Sequence, residues 1–231
     1  MDITSAREQA LAQAREQALD AAEELFYARG IQTVGMDDIR GASGVSLKRL
    51  YQLFPAKELL VEAYLERRDI RWRRRLAEHV DRCTEPEPRI LAVFDWLRLW
   101  FGEPDFRGCA WINSYGELGA TSPRVTVQVR AHKKAFRDYL GGLVTDAGLP
   151  DSLADQVYLL AEGAMVTAGI TREAAAAGHA ATAAAALISS VRHADRPDAT
   201  ATGPAGAATD GDGPEDGVLG SAGGVLRPPR R

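Results

Sequence analysis

Cysteine is scarce in this chain. Its 231 residues hold two, Cys83 and Cys109, which form no C-x-x-C pair and have no histidine at ligand spacing. That argues against a zinc site and a disulfide framework, and fits a reducing cytosol. No apolar run approaches membrane-spanning length, and the N-terminus carries Asp2, Arg7 and Glu8 rather than a signal-peptide pattern, so a cytoplasmic location is expected. Net positive charge is missing as well: at −4 the chain carries no global basic field, and any contact with nucleic acid must rest on a local patch. Also missing are G-x-S-x-G, H-E-x-x-H, a Walker loop and a G-x-G-x-x-G ahead of a strand pattern. No Glu precedes a His at the spacing of carboxylate-bridged metal bundles. No enzyme, metal site or cofactor is therefore expected.

What is present is helical periodicity, most informative between Met36 and Glu58, MDDIRGASGVSLKRLYQLFPAKE. It reads as a helix from Met36 to about Ser43, a turn at Gly44-Val45, and a second helix over 46–54. Glycine takes positive φ without steric cost, which a sharp helix–helix corner requires. Ser46 is a good N-cap, and Val45, Leu50 and Phe54 repeat at inward-facing spacing. That turns Lys48, Arg49, Tyr51 and Gln52 outward. Lysine and arginine suit phosphate or guanine, glutamine an adenine edge, and a tyrosine hydroxyl a phosphate. From Arg40 through Lys57 there are four basic residues and no acid. A short helix so equipped behind a glycine turn is what a helix-turn-helix protein places in the major groove.

The pattern extends beyond the motif. Ala22, Leu25, Phe26 and Gly30, then Val34, Met36, Asp38 and Ile39, continue through Gly44-Val45-Ser46, Leu50-Tyr51, Phe54 and Lys57-Glu58. Over about Leu11 to Glu62 this resembles the N-terminal DNA-binding domain of TetR-family transcriptional regulators. The resemblance implies an all-α fold. Residues 1–56 would form a three-helix DNA-binding domain, and a long helix would join it to a helical regulatory and dimerisation domain at 57–194. It also adds Gly35, Leu47 and Lys57 to Ser46, Lys48, Arg49, Tyr51 and Gln52 as DNA-binding positions. Lys57, at a helix start, is placed to reach a phosphate flanking the groove. The chain departs from the family at Gly35, often Ser or Thr, at Arg40, often Ala, at Leu47-Lys48-Arg49, often Lys-Gly-Thr, and at Ala56, usually Ser or Asn. The change at 47–49 falls on the reading surface, so no other member's operator transfers.

The remaining chain reads as further helices. One covers about 4–29, with Leu11, Ala14, Ala18, Ala22, Leu25 and Phe26 as its apolar stripe; its Arg7 and Arg15 read as solvated. A helix over about 57–79 has Leu59, Leu60, Ala63, Tyr64 and Ile70 as anchors and six arginines in its far half, read as a solvated or salt-bridged face. Thr84–Pro88 is expected to break the chain before a helix over 89–101. A loop over 102–108, a short helix over 111–118 and a long helix within 123–149 follow. His132 is expected to be a structural histidine.

Seven of the sixteen aromatic residues fall between Phe94 and Tyr115, a density that equally suits a helical core or an apolar pocket. The family's habit of binding inducers in this domain favours a pocket lined by Trp96, Trp100, Phe101, Trp111, Asn113, Tyr115 and Glu117. Two last helices are expected over 151–170 and 172–192, with Thr171 capping the second. Ten of the thirteen residues from Ala174 to Ala186 are alanine, which lets helices approach closely. The resemblance implies a homodimer there, with Val157, Leu160, Ala161, Ala164, Ala180, Ala184, Leu187, Ile188 and Val191 in its seam. Beyond Asp195 the composition, rich in glycine and proline, predicts a disordered tail to Arg231, whose closing Arg227, Arg230 and Arg231 offer at most weak attraction to DNA.

The expected function is a ligand-responsive repressor, dimeric on a palindromic operator and not bound to membrane. The alternative is a ligand-independent architectural DNA-binding protein.

Overall fold

The computed structural model describes residues 3–194, and the expected tail at 195–231 lies outside the described residues. Every element among the described residues is a helix: α1 Ile3–Arg29, α2 Met36–Ser43, α3 Leu47–Leu53, α4 Lys57–Val80, α5 Pro86–Phe101, α6 Ala110–Leu118, α7 Pro123–Asp146, α8 Ser152–Thr171 and α9 Ala175–Ala194. None of them is long and apolar enough to cross a membrane. No group of three metal-ligating side chains is found among the described residues.

The first four helices form where local chemistry directs them. Gly30, at φ 87°, ends α1. Gly35 caps α2, and its amide donates to the Asp38 carboxylate at 2.7 Å. Gly44 then closes α2 at φ 68°, its amide reaching Arg40 O at 3.1 Å. Ser46 caps α3 through its hydroxyl, which accepts from the Arg49 amide at 3.3 Å. Leu50, Val45 and Phe54 are buried in one apolar cluster with Ala22, Phe26 and Ile39. Gly44→Ala leaves the packing untouched, since its Cβ would meet open space, but forces a left-handed residue. Unfolding titrations should show a loss of about 1–2 kcal/mol.

α4 carries the chain from α3 into the remaining helices. Leu60, Val61, Tyr64, Leu65, Trp72, Leu76 and Val80 line its buried side. Two anchors expected from periodicity are on the outside: Ile70 is 61% exposed and Leu11 of α1 is 40% exposed. The arginines of α4 form ion pairs instead of an open basic face. Arg67 meets Glu16, Asp20 and Glu23 of α1 at 2.8–3.2 Å, Arg68 meets Glu23 at 2.9 Å, and Arg73 meets Asp69 at 2.7 Å.

Two boundaries differ from expectation. α5 begins at Pro86, inside the expected break, because proline is accommodated in a first helical turn that needs no amide donor. Thr171 ends α8 rather than capping α9. Its hydroxyl donates back to Thr167 O at 3.1 Å, and Arg172 makes the left-handed C-cap at φ 63°. α8 and α9 pack together, and α9 also lies against α5.

Candidate nucleic-acid interface and regulatory body

The α2–turn–α3 unit divides the expected DNA-binding residues into two groups. Lys48, Arg49, Tyr51 and Gln52 are exposed on one side of α3, while Leu50 is buried on the other. Arg40 of α2 is also exposed, paired with Asp37 at 3.0 Å. The second group is engaged within the fold. Gly35 and Ser46 serve as caps, and Leu47 is half-buried against the core. Lys57 is turned inward, with its ammonium donating to Ile31 O at 2.5 Å and lying 5.9 Å from the Phe26 ring centroid. Burial lowers its pKa, against the pull of Glu117 and Asp38. Lys57 therefore ties the α1–α2 turn to the start of α4, a role that its sequence position did not disclose.

Hydrogen bonds connect these helices to α6 and α7. The Gln32 amide donates to the Glu117 carboxylate at 2.8 Å, and its side chain donates to Glu117 O at 2.5 Å. Ser122 donates to Glu58, and Arg124 meets Glu62 at 3.0 Å. Tyr27 donates to Gly108 O at 2.7 Å and accepts from the Arg107 amide at 2.9 Å.

The seven expected pocket residues do not share one cavity. Trp96, Trp100, Phe101 and Trp111 are buried, whereas Asn113 and Tyr115 are exposed and Glu117 is spent on Gln32. α6 is a single short helix with one side against the core, so the outward positions of its sequence cannot join the inward ones. The buried aromatics centre on Trp72, which was not among the expected residues. Its ring meets Trp96, Trp100, Trp111, His132 and Phe136 edge-on at centroid distances of 4.9–6.2 Å. His132 stacks on Trp111 at 3.4 Å, the two rings nearly parallel. Its Nδ1 lies 2.6 Å from Asp69 Oδ1, which assigns the proton to Nδ1.

Burial pushes the His132 pKa down to about 4, although Asp69 pulls the other way. Burial also raises Asp69, but hydrogen bonds from His132 and Arg73 outweigh it and leave the carboxyl below its usual value. Between the unfolded imidazole value near 6.5 and about 4, the unfolded chain binds a proton that the fold refuses. Stability is therefore full above about pH 6.5 and falls as pH drops toward 4, by about 3 kcal/mol in all. Urea titrations at pH 7 and pH 4.5 should show this loss, and His132→Phe should remove most of it.

The expected dimer seam is largely used within the chain. Val157, Ala161, Ala164, Ala180, Ala184 and Ile188 are buried between α8, α9 and their neighbours, while Leu160, Leu187 and Val191 are half-buried. A different stripe of α8 is left outside: Leu159 at 67%, Val166 at 43% and Ile170 at 78% exposure, with Gly163 between them. The spacing 159, 163, 166, 170 keeps one helix face. Exposed small residues of α9 follow the same rule at Ala175, Thr182, Ala186 and Ser189.

Residues 18–64 match the family model for bacterial regulatory proteins of the TetR family. The fold agrees: a TetR-family transcriptional regulator from Streptomyces coelicolor superposes with a TM-score of 0.72 at 27% identity, over 78% of this chain and 96% of that one. This chain is thus similar to TetR-family regulators, by sequence over residues 18–64 and by fold over its helices. A second TetR-type structure, from Streptomyces avermitilis, gives a TM-score of 0.68 at 29% identity over 78% and 98% of the two chains. Among curated relatives, the transcriptional activator FasR of Mycolicibacterium smegmatis is 34% identical over 58% of this chain and 61% of its own length. An uncharacterised helix-turn-helix regulator of Mycobacterium tuberculosis is 39% identical over 42% and 48%. The chain thus spans about half to three-fifths of these curated relatives. The matched family segment ends within α4, so it covers α2 and α3 and leaves the Trp72 nest and α8–α9 outside it.

Proposed function

We propose that this protein is a TetR-type, sequence-specific, DNA-binding transcriptional regulator that works as a homodimer and responds to a small molecule. The observation that carries this reading is α3, where a buried Leu50 fixes the helix and Lys48, Arg49, Tyr51 and Gln52 face outward behind the Gly44 turn. In a symmetric dimer two such helices meet successive major grooves ~34–36 Å apart, or at a longer in-phase spacing, on a palindromic operator. The outward stripe of α8 with the small residues of α9 is the dimer face. The residues at 1–56 act as the reading domain and those at 57–194 as the regulatory body, which holds the effector near its aromatic nest. An effector alters DNA affinity only through its different affinity for the two head arrangements. Repression is the output we infer. Activation is the second reading, favoured by the name of the M. smegmatis relative.

Selection of genomic fragments by the purified protein at physiological salt tests this. Enrichment of one palindromic motif is expected, and uniform recovery of fragments would instead indicate an architectural protein.

A further inference from the structure

Two buried polar atoms in the aromatic nest lack a hydrogen-bond partner: His132 Nε2 and Trp72 Nε1. Buried polar groups are nearly always satisfied, and each exception calls for a reason. The two rings lie 5.1 Å apart between centroids, and both are at least nine-tenths buried. With the imidazole proton on Nδ1 and held by Asp69, His132 Nε2 offers a lone pair. The indole Nε1–H offers a donor. A hydroxyl group meets both demands at once, donating to the imidazole and accepting from the indole.

The surroundings narrow the class further. Trp96, Trp100, Trp111 and Phe136 supply apolar ring surface. The nearest carboxylate, Asp69, is already shared between His132 and Arg73. A charged ligand would lose its hydration in the nest without a counter-ion. A cleft of about 330 Å³ adjoins the nest, lined by Phe136, Ile70, Leu76 and Tyr139 with Arg73 and Arg74 beside them. A second cleft, at Trp72 and Trp100, is otherwise lined by charged side chains and does not suit an apolar body. The first volume suits a molecule of one or two rings.

We propose that the nest recognises a neutral alcohol or phenol with an apolar body, whose hydroxyl bonds to His132 Nε2 and Trp72 Nε1. This rests on the reading that the regulatory body takes an effector, and it names the chemical class. Binding requires the rings to part, with Trp72 or Phe136 giving way to the ligand from the adjoining cleft.

All four tryptophans of the chain, Trp72, Trp96, Trp100 and Trp111, lie in the nest, so fluorescence excited selectively at tryptophan reports on it alone. The test uses matched pairs that differ only by O-methylation: p-cresol with 4-methylanisole, 2-naphthol with 2-methoxynaphthalene, and cyclohexanol with methoxycyclohexane. Affinities come from calorimetry, and tryptophan fluorescence locates the site. In the unaltered full chain the hydroxyl member should bind about tenfold more tightly, as loss of a buried hydrogen bond to an orphaned group predicts. His132→Phe, which keeps the stack on Trp111, should bring the pair within about twofold. The contrast in the unaltered protein stands even if that variant fails to fold. Equal binding of both members would overturn the hydroxyl assignment and leave effector binding intact. If no pair binds, the proposal fails, and a thermal-shift screen that then finds a charged ligand would preserve the effector reading without it.

Discussion

Trp72→Ala should lower the free energy of unfolding by about 3–5 kcal/mol, the usual cost of truncating a large buried aromatic. Trp72 is 5% exposed, and its ring is the shared neighbour of Trp96, Trp100, Trp111, His132 and Phe136, contributed by α5, α6 and α7. Removing it leaves a cavity that side chains from four helices border and none can fill without leaving its rotamer. The measurement is a urea titration at fixed protein concentration, because the apparent stability of the proposed dimer depends on concentration. Trp96, which touches Trp72 and Trp100 alone among the aromatics, should cost less when truncated. A loss below about 1 kcal/mol for Trp72→Ala would mean that the nest is loosely packed and that α4 is held mainly by its ion pairs with α1.

Placing like charges on the outer stripe of α8 should separate the protomers. With Leu159→Glu and Ile170→Glu together, sedimentation should show a monomer at concentrations where the parent chain is a dimer. Both positions are exposed here, at 67% and 78%, so the isolated fold should keep its helicity. In the proposed dimer each glutamate would be buried without a counter-charge, which costs several kcal/mol. Operator affinity should fall about 100-fold or more, since a monomer binds one half-site without the gain from linkage. The matched control is Ala161→Leu, which overpacks a position buried between α8 and its own neighbours and should lower stability rather than dimer affinity. A dimer that survives the double glutamate substitution would place the interface elsewhere.

The α2–turn–α3 unit was the most legible part of the chain because its determinants are local. A positive-φ glycine, a serine cap three residues before the amide it meets, and Val45, Leu50 and Phe54 at helical spacing fix α2 and α3 from within about twenty residues. Which faces of the last two helices are buried depends on packing beyond the local pattern. α8 has apolar residues on two sides, Val157, Ala161, Ala164 and Ala168 on one and Leu159, Val166 and Ile170 on the other. Periodicity detects both stripes but does not say which meets α9 and which meets solvent. The alanines of α9 have the same ambiguity: Ala177, Ala180 and Ala184 are buried inside the protomer, while Ala175 and Ala186 are exposed.

Trp72 was overlooked for a related reason. It stands amid Arg71, Arg73, Arg74 and Arg75, and that charge run reads as a solvated face. Only the packing of α5, α6 and α7 shows that the helix turns this one position inward. Asn113, Tyr115 and Glu117 were grouped with the buried tryptophans by proximity in sequence, yet the pitch of α6 turns them away. Lys57 has the right position for a phosphate contact and a different partner in the fold.

Fluorescence anisotropy on the genomic fragment recovered by selection, measured over a range of salt, tests the central claim most directly. The unaltered chain should bind tightly and resist non-specific competitor. Lys48→Ala should weaken that binding and reduce the magnitude of the salt slope by about one for each reading helix engaged. Tyr51→Phe should weaken it less and leave the slope unchanged, since only a neutral hydroxyl is lost. Affinity and slope unaffected by both substitutions would contradict the assignment of α3 as the reading helix.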